Sequence, residues 1–252
     1  MLEREHDQAA RFLDLAIQHV LPGERSCTRV LDFGCGSGEL VKTLAAFGYA
    51  ASGCDVKKFW EESATNAERM HVIRDRPYRL PFSDQVFDVV VSTSVLEHAQ
   101  NKEEIFPEIH RVLVPGGVAM HLYPSKWYVP TEPHIYVPLV NMFWPNCPRW
   151  WLSLWAIVGV RNEYQGSMSW RQARTVNLKY CEEGLSYWSH RQYRRLSMAI
   201  FGNYCDATAY FMQHGYGGLV SLCQAVRVPN WLAGRISSVF RMSFLINRKA
   251  PE

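Results

Sequence analysis

The stretch Val30-Leu31-Asp32-Phe33-Gly34-Cys35-Gly36-Ser37-Gly38 decides how the rest of the chain is read. Two apolar residues lead through an acid into three glycines spaced two apart. Leu40 to Ala46 then follows with helical spacing, so the order predicts strand, tight turn and helix. Glycine has no Cβ, so it tolerates positive φ and lets a ligand come close to the backbone. The turn has the composition of a ligand cradle.

Ala51-Ser52-Gly53-Cys54-Asp55-Val56 predicts a second strand with an acid at its end. It lies about twenty residues beyond the glycines, where a doubly wound nucleotide-binding sheet grips ribose hydroxyls with a carboxylate. A dinucleotide fingerprint would place its third glycine at position 39, which is Glu39. That spacing weakens a nicotinamide reading.

At these residues the chain resembles the class I S-adenosylmethionine-dependent methyltransferases. Asp32 to Gly38 follows that superfamily's D-x-G-x-G-x-G pattern, and Asp55 stands at its second, acidic motif. The resemblance implies S-adenosyl-L-methionine as cofactor, with S-adenosyl-L-homocysteine as product. It assigns Asp32, Phe33, Gly34, Cys35, Gly36 and Gly38 to the turn facing the methionine part, and Asp55 and Val56 to the ribose. The fold expected is α/β: a doubly wound, mostly parallel seven-stranded sheet, Rossmann-like, with a helical and aromatic cap inserted after the fifth strand. Residues 1–123 would form the cofactor-binding core, 124–200 the substrate-recognition cap, and 201–252 the C-terminal strands that complete the sheet.

Further along, Glu3 to Leu21 carries a helical apolar stripe that stops at Pro22-Gly23 and either packs on the sheet or covers the cofactor edge. A helix-like segment, Phe59 to Arg69, precedes a third strand, Val72-Ile73-Arg74-Asp75. In the family the end of this strand lies beside the adenine, which makes Asp75 and Arg79 candidate contacts.

The second informative block runs from Leu80 to His98. Phe87 to Ser92 is a continuous apolar strand of the kind buried on both faces of a parallel sheet. It resembles the L-P-F-x-D-x-x-F-D-V-V segment and V-L-E-H ending of many small-molecule methyltransferases. Ser94 to His98 should stand at the carboxyl end of the fourth strand, where ligands bind in open α/β sheets; Ser94 is a candidate cofactor contact. His98 is a candidate general base or a hydrogen-bonded lining residue, since imidazole titrates near neutrality. Quinone O-methyltransferases of this superfamily hold a divalent metal with E-x-x-E-H. Ser94 replaces the first of those acids, so no metal is expected.

Ile105 to Leu113 predicts a helix, Val114 to Gly117 a turn resembling the family's L-x-P-G-G block, and Val118 to Tyr123 the fifth strand. Regular alternation then breaks. Pro124 to Pro138 is too rich in proline for a helix, and in the family this position holds the cap that recognises the acceptor. Its Glu-Pro-His-Ile run resembles a branch associated with bacterial surface-glycan assembly. Glu132 and His134 are candidates for substrate binding or base catalysis; an exposed loop histidine is the blander alternative. Trp150 to Val160 is apolar but shorter than the roughly twenty residues a spanning helix needs. The Trp-rich segment 144–155 could wall a pocket, form a dimer contact or lie in a membrane interface. Two helices, Ser169 to Leu185 and Ser189 to Ile200, should follow; then a strand near Tyr204 to Phe211, a helix interrupted at Pro229, and a final antiparallel strand, Arg241 to Asn247.

The net charge of +3 over 252 residues hides an asymmetry: residues 1–120 sum to −5 and residues 121–252 to +8. Seven of nine tryptophans lie between Trp127 and Trp188. A basic, aromatic second half suits nucleic acid, a phosphate-bearing acceptor or a membrane surface. The seven cysteines form no Cys-x-x-Cys pair, which argues against zinc and for reduced thiols in a cytoplasmic protein.

The function expected is methyl transfer to a small-molecule or glycan- or lipid-linked acceptor, at oxygen, with His98 or His134 as base. A nucleic-acid acceptor is the alternative; base N-methyltransferases of this fold carry an N-P-P-Y type motif where this chain has Ser94-Val95-Leu96-Glu97, so no nucleic-acid partner is expected. A non-enzymatic, membrane-surface protein that binds the cofactor is the third. Peripheral contact with the inner membrane surface and a homodimer are the further expectations.

Overall fold

The computed structural model describes residues 2–61, 67–75 and 78–251, and their side chains except those of residues 2–5 and 75. Seven strands form one sheet: β1 (Arg29–Phe33), β2 (Ala50–Asp55), β3 (Met70–Val72), β6 (Phe87–Thr93), β7 (Leu113–Pro124), β8 (Cys205–Asp206) and β9 (Met242–Arg248). Two further two-residue strands, β4 (Arg74–Asp75) and β5 (Tyr78–Arg79), pair with each other. The sheet order is β3-β2-β1-β6-β7-β9-β8. The first five of these strands run parallel, and β9 runs antiparallel to both its neighbours.

Alternation along each strand builds the two layers. Val30, Val89, Val91, Val118 and Met120 face one cluster, which takes Phe12 and Leu13 from α1 (Leu2–Val20) and Leu40, Val41 and Leu44 from α2 (Glu39–Ala46). Leu31, Val90 and Ala119 face the other, with Ile105, Phe106 and Ile109 of α3 (Lys102–Val112) and Tyr193 and Phe201 of α7 (His190–Phe201). Both faces of the central strands are therefore apolar, which is why the sequence shows runs instead of strict alternation.

Between β7 and α7 the chain builds a cap with its own small core. Ile135, Val137, Leu152, Cys181, Leu185 and Tyr187 meet there, on α5 (Arg149–Val158), α6 (Trp170–Glu183) and the connecting segments; a single turn, α4 (Val140–Phe143), lies between. Trp144, Trp151 and Trp155 pack against that core, and Trp151 donates its indole N–H to the Pro138 carbonyl at 2.7 Å. The Trp-rich segment thus walls the cap's interior. Trp150, 63% exposed, stays outside it.

The sequence expectations need four corrections. The third strand is Met70–Val72, because β2 offers no partner beyond Asp55 and the last bond between the two runs from the Ile73 N–H to the Asp55 carbonyl, 2.8 Å; Asp75 falls in the β4–β5 hairpin. Phe59–Glu61 is not helical, and a 3-10 turn covers Ala67–Arg69; residues 62–66 lie outside the described residues. The strand near Tyr204–Phe211 shrinks to Cys205–Asp206. Asp206 accepts from the Thr208 N–H at 3.0 Å and starts α8 (Thr208–His214), which lets the adjacent Phe211 and Met212 both be buried. Residues 201–252 accordingly add two strands and three helices, the others being α9 (Gly218–Ala225) and α10 (Asn230–Phe240).

Candidate active site

The glycine turn is fixed from below by the second strand. The N–H groups of Gly34 and Cys35 donate to the Cys54 carbonyl at 2.8 and 3.1 Å, and the Gly38 N–H donates to the Cys35 carbonyl at 2.8 Å. All three glycines have positive φ, but for different reasons. A Cβ on Gly34 would stand 2.3 Å from Val95 Cγ2, and one on Gly38 2.2 Å from the Met70 sulfur. Around Gly36 nothing among the described residues lies within 4 Å of the Cβ position. Gly36 donates its N–H to Asp55 Oδ2 at 2.9 Å, so the open edge of the turn and the carboxylate at the end of β2 adjoin. This fits a nucleoside with a cationic sulfonium, which needs backbone contact on one side and a carboxylate for the ribose.

Asp32 and Phe33 are buried at the end of β1. Burial, helped by the nearby Asp55 charge, pushes the Asp32 carboxyl up to about 7. A cation in the cradle would favour its ionised form. Cys35 is buried under the turn and Val56 is exposed just beyond Asp55. Arg79 is exposed on the β4–β5 hairpin, and the Asp75 side chain lies outside the described residues.

The turn after β6 connects the cradle to a cavity of about 480 Å³. Val95 packs on Gly34, while its neighbours Ser94 and Glu97 line the cavity wall. Ser94 has positive φ and donates its N–H to the Leu122 carbonyl at 2.8 Å. The cavity sits at the carboxyl ends of β6 and β7. It is enclosed by Tyr128 and His134 from the cap, Ala9 from α1, Phe211 and Met212 from α8, Leu219 and Val220 from α9, and Arg241 just after α10. The cavity is thus closed by the C-terminal helices and α1 as well as by the cap.

Glu97 is 1% exposed, and among the described residues neither carboxyl oxygen has a hydrogen-bond partner. Burial pushes it up to about 8, so it holds a proton at neutral pH. Glu132 is also fully buried, but is satisfied: Oε2 accepts from the N–H groups of His134 and Ile135 at 2.8 and 2.9 Å, and Oε1 lies 2.9 Å from His134 Nδ1 and accepts from the Tyr187 hydroxyl at 3.2 Å. Burial alone would raise Glu132, yet the bonds from His134 and Ile135 hold it below the usual carboxylate range. Burial likewise disfavours the His134 imidazolium, and the Glu132 hydrogen bond and charge outweigh it, raising His134.

His98 stands beside His134, ring centroids 4.7 Å apart and edge-on, but outside the cavity wall. Its Nδ1 bonds the Gly184 carbonyl at 2.7 Å, and burial lowers its basicity. That contact is one of several that stitch residues 97–102 to the cap. The Ser186 N–H donates to the Glu97 carbonyl at 2.6 Å, and the buried Lys102 ammonium donates to the Ser186 carbonyl at 2.7 Å and hydroxyl at 2.8 Å. Among the described residues, no three His, Cys, Asp or Glu are arranged to hold a metal.

Structure therefore brings together Ser94, Glu97 and His134 at the cavity, and Gly36 and Asp55 at the cradle. Glu97 was legible as part of V-L-E-H, and its apolar neighbours Val95 and Leu96 signal burial. Tyr187, 55 residues from Glu132, left no local signal.

The sheet order is that of the class I S-adenosylmethionine-dependent methyltransferase fold, with the glycine turn after β1 and the acid at the end of β2. Residues 31–121 match the family model described as a methyltransferase domain. The chain is 29% identical over 98 residues to the sterol 24-C-methyltransferase ERG6B of Gibberella zeae, covering 36% of this chain and 26% of that protein. It is 33% identical over 134 residues to a probable tRNA methyltransferase 9B of Mus musculus, covering 47% and 29%. It spans less than a third of the length of either relative. The crystal structure of an S-adenosylmethionine-dependent methyltransferase from Mesorhizobium loti superposes with a TM-score of 0.55 at 15% identity, covering 97% of this chain and all of that one, a likeness of fold.

Proposed function

We propose that the chain methylates an oxygen of a mostly apolar small-molecule or glycan- or lipid-linked acceptor held in the 480 Å³ cavity. The observation that carries this reading is the Glu132–His134 pair, 2.9 Å apart, with His134 on the cavity wall and Glu132 buried behind it. S-adenosylmethionine, when bound, supplies an electrophilic methyl group on a sulfonium.

Gly34 to Gly38 and Asp55 would hold that cofactor, and the Ser94–Glu97 turn separates it from the acceptor space. Glu132 fixes the His134 ring with Nδ1–H toward itself, which leaves Nε2 to take the acceptor's hydroxyl proton. The Glu132 charge then stabilises the imidazolium that forms. Glu97, protonated, can donate a hydrogen bond to a second polar group on the acceptor. Leu122, Phe211 and Met212 exclude water from the reacting groups, and positioning supplies much of the rate.

A tRNA acceptor is the second reading, favoured by the tRNA methyltransferase relative and the basic second half. The test is to incubate the full chain and its His134→Ala variant with methyl-labelled cofactor and, separately, hydroxylated apolar compounds and tRNA. Label on the oxygen of an apolar compound, lost in the variant, is expected. Label on tRNA alone, or no label while S-adenosylhomocysteine still binds, would overturn the proposal.

A further inference from the structure

Helix α10 is built inside out. It buries its small residues, Ala233, Gly234, Ser237 and Ser238, and exposes Trp231, Leu232, Ile236, Val239 and Phe240. The small residues are required where they are: a Cβ on Gly234 would come within 2.7 Å of the Ala209 backbone in α8. An ordinary surface helix places its large apolar residues on the core side. Here they form a continuous outward stripe, with Trp231 65% exposed. Leu222 of α9 and Val226 just beyond its end are exposed as well. At the far end of α10, the Val129 N–H donates to the Phe240 carbonyl at 3.0 Å, and the segment so tied carries the exposed Trp127 beside Lys126.

Charge distinguishes the occupants such a face could take. Residues 207–251 contain no Asp or Glu and five basic residues, three of which, Arg227, Arg235 and Arg241, lie on or beside α9 and α10. A second copy of this surface would face Arg235 with more arginine and no counter-charge. An anionic bilayer offers both what the stripe needs and what the arginines need: an apolar layer a few ångströms below a negatively charged headgroup plane, with tryptophan favoured at the boundary.

We infer that α9, α10 and Trp127 form a surface that lies on an anionic lipid bilayer. No helix of the described residues is long and apolar enough to cross a membrane, so the contact is peripheral. The same elements border the cavity: Gly218 and Leu219 of α9, Ser237 of α10 and Arg241 line it. A lipid-embedded acceptor would then pass from the bilayer into the cavity between these helices. That last step rests on the methyl-transfer reading; the docking itself does not.

The test is sedimentation of the full chain with phosphatidylcholine vesicles, with and without phosphatidylglycerol, for the parent and for Trp231→Glu, Ile236→Glu and Arg235→Gln. Parent protein should pellet with the anionic vesicles, and each glutamate variant should lose at least tenfold in apparent affinity. Arg235→Gln should weaken binding severalfold, less at high salt. Unchanged thermal unfolding and S-adenosylhomocysteine binding in the variants would show that the fold is intact. Failure of the parent to pellet, or variants that pellet as well as the parent, would overturn the inference. So would a lipid-independent dimer that Ile236→Glu dissociates without any vesicle binding. Vesicle binding by a parent that cannot bind S-adenosylhomocysteine would leave the docking surface standing and remove the methyl-transfer reading.

Discussion

The Glu132 carboxylate lies 2.9 Å from Nδ1 of His134 and, through its other oxygen, holds the backbone N–H of the same residue at 2.8 Å. One buried acid therefore fixes both the ring and the loop that carries it. A histidine held this way keeps its basicity while losing rotational freedom, as a general base must.

Replacing His134 by alanine should lower turnover by about 10²–10⁴-fold, the usual worth of a positioned base, with S-adenosylhomocysteine affinity within twofold of the parent. A base at His134 would work when neutral, and its pKa is raised, so kcat/KM should fall as pH drops through a value above the ordinary imidazole value. Glu132→Gln removes the raising charge and should move that acid limb to lower pH. A pH–rate profile of both variants checks this, and an unmoved acid limb in Glu132→Gln would separate the pair from the chemistry.

The glycines should separate by role. Gly36→Ala puts a methyl group into the open edge of the cradle at φ +51° and should weaken cofactor binding at least tenfold while costing only about 1–2 kcal/mol of stability. Gly34→Ala forces a Cβ against the branched Val95 side chain and should cost more stability, about 3 kcal/mol with backbone strain included. Asp55→Ala should lower affinity by roughly ten- to a hundredfold through lost charge-assisted hydrogen bonds. Calorimetry with S-adenosylhomocysteine and thermal unfolding together read these changes.

Glu97 gives a stability signature. Its folded pKa, about 8, lies above its ordinary 4.5, so the stabilisation from its proton is fully present below about pH 4.5 and is lost as pH rises through about 8. Between about pH 5 and pH 8 the parent should lose about 3 kcal/mol relative to Glu97→Gln, which carries no titrating group at this site. Denaturant unfolding at the two pH values tests the sign, and parallel pH dependence in parent and variant would contradict it.

Filling the cavity should affect the acceptor alone. Leu219→Trp extends into the space beneath α9 and should reduce acceptor turnover at least tenfold while leaving S-adenosylhomocysteine affinity within twofold. Equal loss of both would mean that the cavity belongs to the cofactor.

Much of the core was legible because its signals are local. The strand, turn and helix around Gly34 to Gly38 are set by residues adjacent in sequence, and β6 reads as a buried strand from its own apolar run. The acid at Asp55 follows from a spacing. By contrast, the reading of Tyr204–Phe211 as a strand failed because the chain turns into a helix at Thr208, whose N–H bonds the Asp206 carboxylate, and a short apolar run does not announce which period its burial follows.

The sequence by itself determined the mostly parallel α/β core and the strand, turn and helix around Gly34 to Gly38, since turn chemistry and hydrophobic period act over a few residues. Only the tertiary structure decided the cavity and the surface beside it. The bond of Glu132 to Tyr187, the orphaned carboxyl of Glu97 and the outward apolar face of α10 each depend on what distant segments of the chain bring alongside, and burial is a property of the packed molecule that no local pattern encodes.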